Sequence, residues 1–444
     1  MDVSVHYFFV PNRLTWENWE KYIVDANSPY PLPFIDYADT LTTAQKKHLD
    51  YMGIPPNIGT GVIQQLNALP IAAYQAIYNE FYRDENLVPE VPYQLSDGDN
   101  TGVISTLVKT RQRAWEHDYF TASLPFAQKG AAVDIPLGTL TGDARVLFNN
   151  DEVAGYNVNT GVYDSTGFFN GTEYIGNEIP TGNGMWAQTS GMFAKTSEVS
   201  VEPTTINDLR RAFRLQEWLE KNARGGTRYI ENILMHFGVR SSDKRLQRPE
   251  YITGIKTPVI ISEVLNTSAT EAEPQGNMAG HGVAVSTGKY GNYFCEEHGY
   301  IIGIMSVMPQ PAYQQGIPKT YLKLDPLDFF WPSFAHIGEQ PVTNNELYAY
   351  TATANDTFGY VPRYAEYKYQ PSRVAGDFRT ILDYWHLGRI FATQPSLNQT
   401  FIECTPEQVE RIFAVQDGED NLYCQIMHKI KAVRPMPKFG TPNF

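Results

Sequence analysis

Apolar and polar residues alternate across residues 3–10: Val3, Val5, Tyr7 and Phe9 fall on one face, Ser4 and His6 on the other. A period of two predicts a strand. The period then lengthens. Trp16, Trp19 and Ile23 stand at helical spacing behind Thr15, a candidate N-cap. Over residues 70–82, Ile71, Tyr74, Ile77, Tyr78 and Phe81 make a helix stripe, and Pro70 suits the first helical position. Residues 103–136 read as extended and aromatic, with Pro125 limiting regular pairing.

Between residues 137 and 203 both periods fail. The stretch is rich in Gly, Asn, Thr and Tyr, and Arg145 and Lys195 are its only basic residues. It has too many aromatics for a flexible linker and too many turn residues for a core, which predicts an exposed insertion with small β structure of its own. Helical spacing returns at Thr205 with Ile206, Leu209, Phe213 and Leu219, and Gly225-Gly226 ends it. A second helix begins after Thr227, with Ile230, Ile233, Leu234 and Phe237 as its stripe and Gly238 as its stop. Beyond residue 250 the pattern is mostly β, with strands expected at 282–286, 300–307, 364–369, 411–415 and 423–433. Residues 300–307 (YIIGIMSV) are apolar on both faces and should be central and covered on each side. In 423–433, Cys424, Ile426, Ile430 and Ala432 alternate with Lys429 and Lys431, so one face should be buried and the other basic. Strands near both ends with helices and long loops between them predict a mainly β sandwich with greatly enlarged connections. The chain divides into 1–136, the first part of the β fold with helical insertions; 137–203, a protruding surface insertion; and 204–444, a helical insertion and the remaining strands.

Composition sharpens this picture. Of 444 residues 42% are hydrophobic and 13% aromatic, including 28 Tyr and 23 Phe, while 34 Gly and 29 Pro supply turns. A sizeable core can be buried, and global disorder is excluded. The formal charge of −14 rules out a general polyanion binder, so any nucleic-acid contact needs a local basic face. The mean hydropathy of −0.36 and the lack of an apolar run near 20 residues argue against a membrane span. The opening stretch has no basic region ahead of an apolar one, as a secretory signal would. Cys295, Cys404 and Cys424 are widely spaced and odd in number, which fits reduced thiols and neither disulfides nor a cysteine zinc site.

Catalytic signatures are missing: there is no GxSxG, HExxH, GxxxxGK[ST] or EF-hand loop. Glu296-Glu297-His298 offers three possible metal ligands in a row, but neighbouring strand residues point apart, which favours a turn or interface role. Asp325 and Asp328 fit capping better than a catalytic carboxylate pair. No enzyme activity, cofactor or metal is expected. Two basic regions remain. Residues 205–250 mix ten cations with six acidic residues and read mainly as solvated helix faces and inter-subunit pairs. The stretch after Gln425 carries Lys429, Lys431, Arg434 and Lys438 with no acidic residue, and is balanced between nucleic-acid contact and solvated or inter-subunit charge. The residues alone end at a large β-rich structural or binding protein; a carbohydrate-binding β-sandwich is the alternative, since Tyr- and Trp-rich loops suit sugars.

Several segments carry a resemblance: VSVHYFFVPNRLTWENWEKYI from Val3, HDYFTASLPFAQKG from His117, ARGGTRYIENILMHFGV from Ala223, the run from Pro274 to Tyr313, FFWPSFAHIGEQ, FGYVPRYAEYKYQPSRVAGDFR and the closing VRPMP. Together and in this order they resemble the major capsid protein of the Microviridae, in its gokushovirus branch. The resemblance implies an eight-stranded antiparallel jelly-roll barrel with long loop insertions containing helices. It implies a homo-oligomeric T=1 icosahedral shell around a circular single-stranded DNA genome, found in the virion and assembled in the host bacterial cytoplasm. An internal scaffolding protein, a minor DNA-pilot protein and a host surface receptor are implied partners. The insertion becomes a three-fold projection for host contact, with Tyr156, Tyr163, Phe168, Phe169 and Tyr174 as contact candidates. Lys429, Lys431, Arg434 and Lys438 become candidates for DNA contact on the inner surface. Family members carry a further segment ahead of the VSVHYFF strand, at which this chain opens.

Overall fold

The computed structural model describes the chain except at Ala26 and residues 57–60, 62, 132, 134–139, 142–145, 149–154, 157–162, 165–167, 171–172, 176–185, 188–191, 195–199, 202–205, 227–228, 241–246, 266–277, 289, 414–420 and 435–444. Met1–Ala127 and Asn222–Phe444 form one compact unit, and Gln128–Lys221 forms another.

The first unit is organised around β1 (Asp2–Pro11), the middle strand of an antiparallel sheet between β2 (Glu250–Pro258) and β3 (Gly299–Met308). β1 and β3 stay in register from Asp2 opposite Met308 to Pro11 opposite Gly299, while the β2 pairing shifts between Tyr7 and Phe8. The expected alternation is present, but the deeper face is the one that begins with Ser4 and His6. It continues through Phe8 and Val10 and packs with Ile302 and Ile304 under helix α1 (Leu69–Phe81). Pro70 occupies the first turn of α1, as its fixed φ allows. Ala73, Ile77 and Tyr78 meet Phe8 and Val10. Complete burial of a side chain such as Phe8 stabilises by about 1.5–3 kcal/mol. The opposite face keeps Val3, Val5 and Tyr7 half-buried, and closes off only towards its end, at Phe9, against the Tyr293 ring, and Pro11. Gly303 lets Tyr7 lie across β3, since a Cβ there would sit 2.8 Å from the Tyr7 ring.

β3 is therefore not the central strand expected of residues 300–307. Among the described residues it lies at the sheet edge, one face against α1 and the other open, with Ile301 58% exposed. Its apolar character on both faces reflects an uncovered surface rather than double burial.

A second core gathers Tyr119, Phe120, Tyr313, Leu347 and Phe401 around β4 (Glu339–Thr343) and β5 (Thr357–Pro362), which pair antiparallel. Arg389 is buried beside it, its guanidinium 4.0 Å from the Phe401 ring centroid and donating to the Phe401 carbonyl. A short parallel pairing sets Ser372–Arg373 beside Ala312–Tyr313.

Several sequence expectations shift. The strand expected at 364–369 is a 3-10 turn, Ala365–Tyr367, because Tyr364 adopts φ 64 and its N–H donates to the Gln340 side chain, which turns the chain out of β5. Residues 410–412 likewise form a 3-10 turn, with 414–415 outside the described residues. The strand near 282 runs Met278–Val283 and stops there. Thr15 is not an N-cap: its hydroxyl donates to the Asn12 carbonyl, and the short helix Trp19–Val24 starts after Asn18. The positions of Thr205 and Thr227 lie outside the described residues. Helix α2 (Ile206–Arg224) is followed by Gly226 at φ 88, and helix α3 (Tyr229–Phe237) by Gly238 at φ 68, which are the stops read from the sequence.

The fold is mainly β with several helices. Its described strands form sheets of two or three, with no closed barrel among the described residues. The second unit holds short antiparallel pairs, including Val146–Phe148 with Met192–Ala194 and Phe168–Asn170 with Glu173–Ile175. Part of α2 also lies in this unit, where Leu209, Ala212, Phe213 and Gln216 line a cavity of about 140 Å3 with Val133.

Candidate functional site: apolar surfaces, a charged niche and a basic tail

The groups with chemical potential are engaged structurally. Arg13 donates to both oxygens of Glu297, at 2.7 and 3.1 Å, while His298 turns its ring to Trp19 and its carbonyl accepts from Asn12. The Glu297 and His298 side chains thus serve separate loop contacts. Among the described residues no group of three or more His, Cys, Asp or Glu is placed to hold a metal ion. Asp325 accepts from the Leu327 N–H at 2.8 Å, and Asp328 from those of Leu324 and Asp325 at 3.0 Å. Together they close a capping box around the turn Pro326–Asp328, as their spacing suggested.

A polar cavity of about 130 Å3 lies beside β4, lined by Lys319, Lys323, Asp328, Glu346, Arg363 and Glu366 among others. Lys319 reaches Glu346 at 3.0 Å, and Glu346 also accepts from the Tyr119 hydroxyl and the Thr343 N–H. Lys323 reaches Glu366 at 2.8 Å, both side chains being nearly covered. Burial opposes ionisation of Glu366, but the hydrogen bonds from Lys323 and Gln340 outweigh it and hold its pKa below the usual carboxylate value. The niche is thus an ion-pair network in which Gln340, donating to Glu366, ties β4 to the turn after β5, while the buried Arg363 Nε has no hydrogen-bond partner among the described residues. Sequence reading missed it, because its charges come from four separate segments.

The C-terminal stretch departs most from expectation. Residues 422–434 form no strand, and among the described residues no backbone hydrogen bond ties them to another element. Cys424 and Ile430 are exposed rather than buried, and Ile426 is 44% exposed. The alternation is real, but the segment crosses the open face of the sheet instead of joining its edge. Its contacts are side-chain ones: Cys424 Sγ to Met305 Sδ at 3.3 Å and His428 Nδ1 to the Tyr7 hydroxyl at 3.2 Å. Lys429, Lys431 and Arg434 are exposed and form no ion pair among the described residues. Lys438 lies outside the described residues.

Of the insertion residues, Tyr156 is opposite both Tyr163 and Trp186, Phe169 is opposite Tyr174, and Phe168 is opposite Ile175, on three short antiparallel pairings. The backbone therefore gathers the five candidates into two small sheets.

Large apolar side chains crowd the described surface elsewhere. Tyr321, Leu324, Phe329, Phe330 and Trp331 are all about half exposed or more, in and between successive 3-10 turns. β3 adds an edge of ten residues with no charge and no proline, whereas the β2 edge carries Glu250, Lys256 and Pro258. Monomeric proteins rarely leave such surfaces open, and bare strand edges invite pairing with another chain. The FFW run was visible in the sequence, but periodicity gave no sign that it would stay uncovered.

Among the described residues no helix is long and apolar enough to cross a membrane. Against known families, the whole chain, residues 1–444, matches the model described as capsid protein (F protein). Relatives include the capsid protein VP1 of Bdellovibrio phage phiMH2K, 36% identical over all of this chain and 85% of the relative. The capsid protein VP1 of Chlamydia phage 1 is 33% identical over all of this chain and 86% of the relative, and that of Spiroplasma virus 4 is 31% identical over 99% and 85%. An uncovered apolar surface is what a shell subunit presents to its neighbours, and by its family match and relatives the chain belongs to the capsid protein (F protein) family of the Microviridae, in the gokushovirus branch, as a structural virion protein rather than an enzyme.

Proposed function

We propose that the chain assembles into a closed T=1 icosahedral shell around a circular single-stranded DNA genome. The observation that carries the reading is the uncharged edge of β3 beside a half-exposed apolar face, surface that identical neighbours can cover. β1 and its partners belong, in this reading, to an eight-stranded antiparallel jelly-roll barrel. Its support is that β1 pairs with strands far along the chain, as long inter-strand insertions require. The insertion 137–203 forms the outward projection and carries host attachment, with Tyr156, Tyr163, Phe168, Phe169 and Tyr174 in contact with a surface receptor. Lys429, Lys431, Arg434 and Lys438 face the genome. Assembly takes place in the host cytoplasm with an internal scaffolding protein, and a DNA-pilot protein joins the particle.

Negative-stain imaging and sedimentation of the full chain test this. Closed particles of one diameter are expected; a monodisperse monomer at high concentration, with the scaffolding partner supplied, would sink the proposal. Replacing residues 145–195 by a short glycine bridge is expected to leave shells that no longer attach to host cells, and insoluble protein would place the insertion in the core instead.

A further inference from the structure

A second cationic surface lies far along the chain from the basic tail. The stretch 368–379 (KYQPSRVAGDFR) holds Lys368, Arg373 and Arg379 against one carboxylate, Asp377. None of the three cations forms an ion pair among the described residues. The two arginines are nonetheless fixed in place. Ser372–Arg373 runs parallel to Ala312–Tyr313, and the Val374 N–H donates to the Tyr313 carbonyl at 3.0 Å. Arg373 Nη1 donates to the Gly316 carbonyl at 2.9 Å, and Arg379 Nε to the Val374 carbonyl at 3.0 Å. Gly376, at φ 67, reverses the chain between them as few other residues could. Partial desolvation first, and then the charge of Arg379, depress the pKa of Arg373. The fold thus fixes two like charges within reach of each other's field, and neither forms an ion pair with Asp377 among the described residues. The nearby Asp383 acts on Arg411.

Along this stretch and the turn Asp383–Trp385 that adjoins it, the aromatic rings are open. Tyr369, Phe378, Tyr384 and Trp385 are all exposed by 43% or more, and the Tyr384 and Trp385 rings stand 5.8 Å apart. Fixed guanidinium groups beside exposed rings suit a ligand with alternating anions and flat apolar faces. An acidic protein surface would satisfy the arginines but leave the rings wet.

We propose that this surface binds single-stranded nucleic acid, with Arg373 and Arg379 on successive phosphates and the exposed rings stacking bases without reading their sequence. The proposal rests on the genome-enclosing reading above and gives each subunit a contact separate from Lys429, Lys431, Arg434 and Lys438.

The test is fluorescence anisotropy of the purified full chain with a labelled 20-nucleotide oligothymidylate over a salt series. The double variant Arg373→Gln/Arg379→Gln is expected to lose about tenfold in affinity at moderate salt. Its slope of log K against log salt should flatten by about 1.4, the value for two phosphate contacts on a single strand. Arg373→Lys/Arg379→Lys should keep the slope, and Tyr369→Ala should lower affinity with the slope unchanged. Unchanged slope and affinity in the Gln pair overturn the proposal, as does equal competition by polyglutamate and unlabelled oligothymidylate. Should the Gln pair fail to fold, the Lys pair and Tyr369→Ala decide: an altered slope in the Lys pair, or unchanged affinity in Tyr369→Ala, overturns it. Imaging the same preparations keeps the two readings apart: oligonucleotide binding without shells fails the capsid reading alone, and shells with a wild-type salt slope fail this one alone.

Discussion

The two faces of β1 obey one alternation and meet opposite fates. Phe8 and Val10 are sealed beneath α1, with Phe8 1% exposed, and Ser4 is buried where it accepts from Arg113. Val3, Val5 and Tyr7, with Ile301 and Met305 beside them, are crossed by the extended residues 422–434 through contacts of His428 and Cys424. The sealed face even carries Ser4 and His6, while the open one has Val3, Val5 and Tyr7, so hydrophobicity alone does not decide burial within one subunit. What decides it is whether an element of the same chain arrives to cover the face. The face left open is available to neighbouring subunits.

The largest effect should come from the sealed face. Phe8→Ala removes a ring from a packed site and is expected to cost about 3–5 kcal/mol in urea unfolding. Ile301→Ala, on the open face, should change subunit stability by less than about 1 kcal/mol. Equal losses would erase the contrast. Charges repeat it next. Glu366 is covered and paired, so Glu366→Gln should destabilise by about 3 kcal/mol at pH 7, because Lys323 is left without its partner. The sign with pH follows from its lowered pKa. The unfolded chain takes up the proton first as pH falls, so this contribution is full above the ordinary carboxylate value of 4.5 and is lost as pH drops through the lower folded value. Melting temperature should therefore fall more steeply in that window for wild type than for Glu366→Gln, and parallel curves would count against the pair. Third, Ile301→Lys puts a charge on the open face at the bare edge; it should leave unfolding nearly unchanged and abolish particles in sedimentation. The smallest effect on folding belongs to the tail. Replacing Lys429, Lys431, Arg434 and Lys438 by Gln should move stability by no more than about 0.5 kcal/mol and leave shells intact, with less DNA per particle by absorbance ratio.

What the sequence revealed follows the range of the interactions involved. β1, α1, α2 and α3 were legible because their periods and stops are local: Pro70, Gly226 and Gly238 act within one turn. Edge status was not legible. The pattern YIIGIMSV is the same whether a strand is covered by its own chain or by a copy. The stretch 423–433 shows the same ambiguity, since its alternation is that of a strand whether or not a ladder forms within the subunit. Tyr364 misled for another reason: its left-handed backbone is held by Gln340, a residue 24 positions away. The tail cations were found from composition, but the Arg373 and Arg379 pair was not, because carbonyls of Gly316 and Val374 fix it rather than any motif.

The pairing of β1 also sets a timetable. Phe9 is synthesised about 290 residues before Ile301, its partner on β3. At translation rates of about 5–20 residues per second, the first strand waits roughly 15–60 s for that partner. Until β2 (Glu250–Pro258) is made, late in this interval, a stretch reading VSVHYFFV has neither of its two ladders to join. α1 is complete much earlier and can shelter Phe8 and Val10, but nothing early in the chain shelters Val3, Val5 and Tyr7. Newly made subunits therefore depend on whatever holds that face during synthesis, and slowing translation between residues 81 and 299 should lower soluble yield more than slowing it after residue 308.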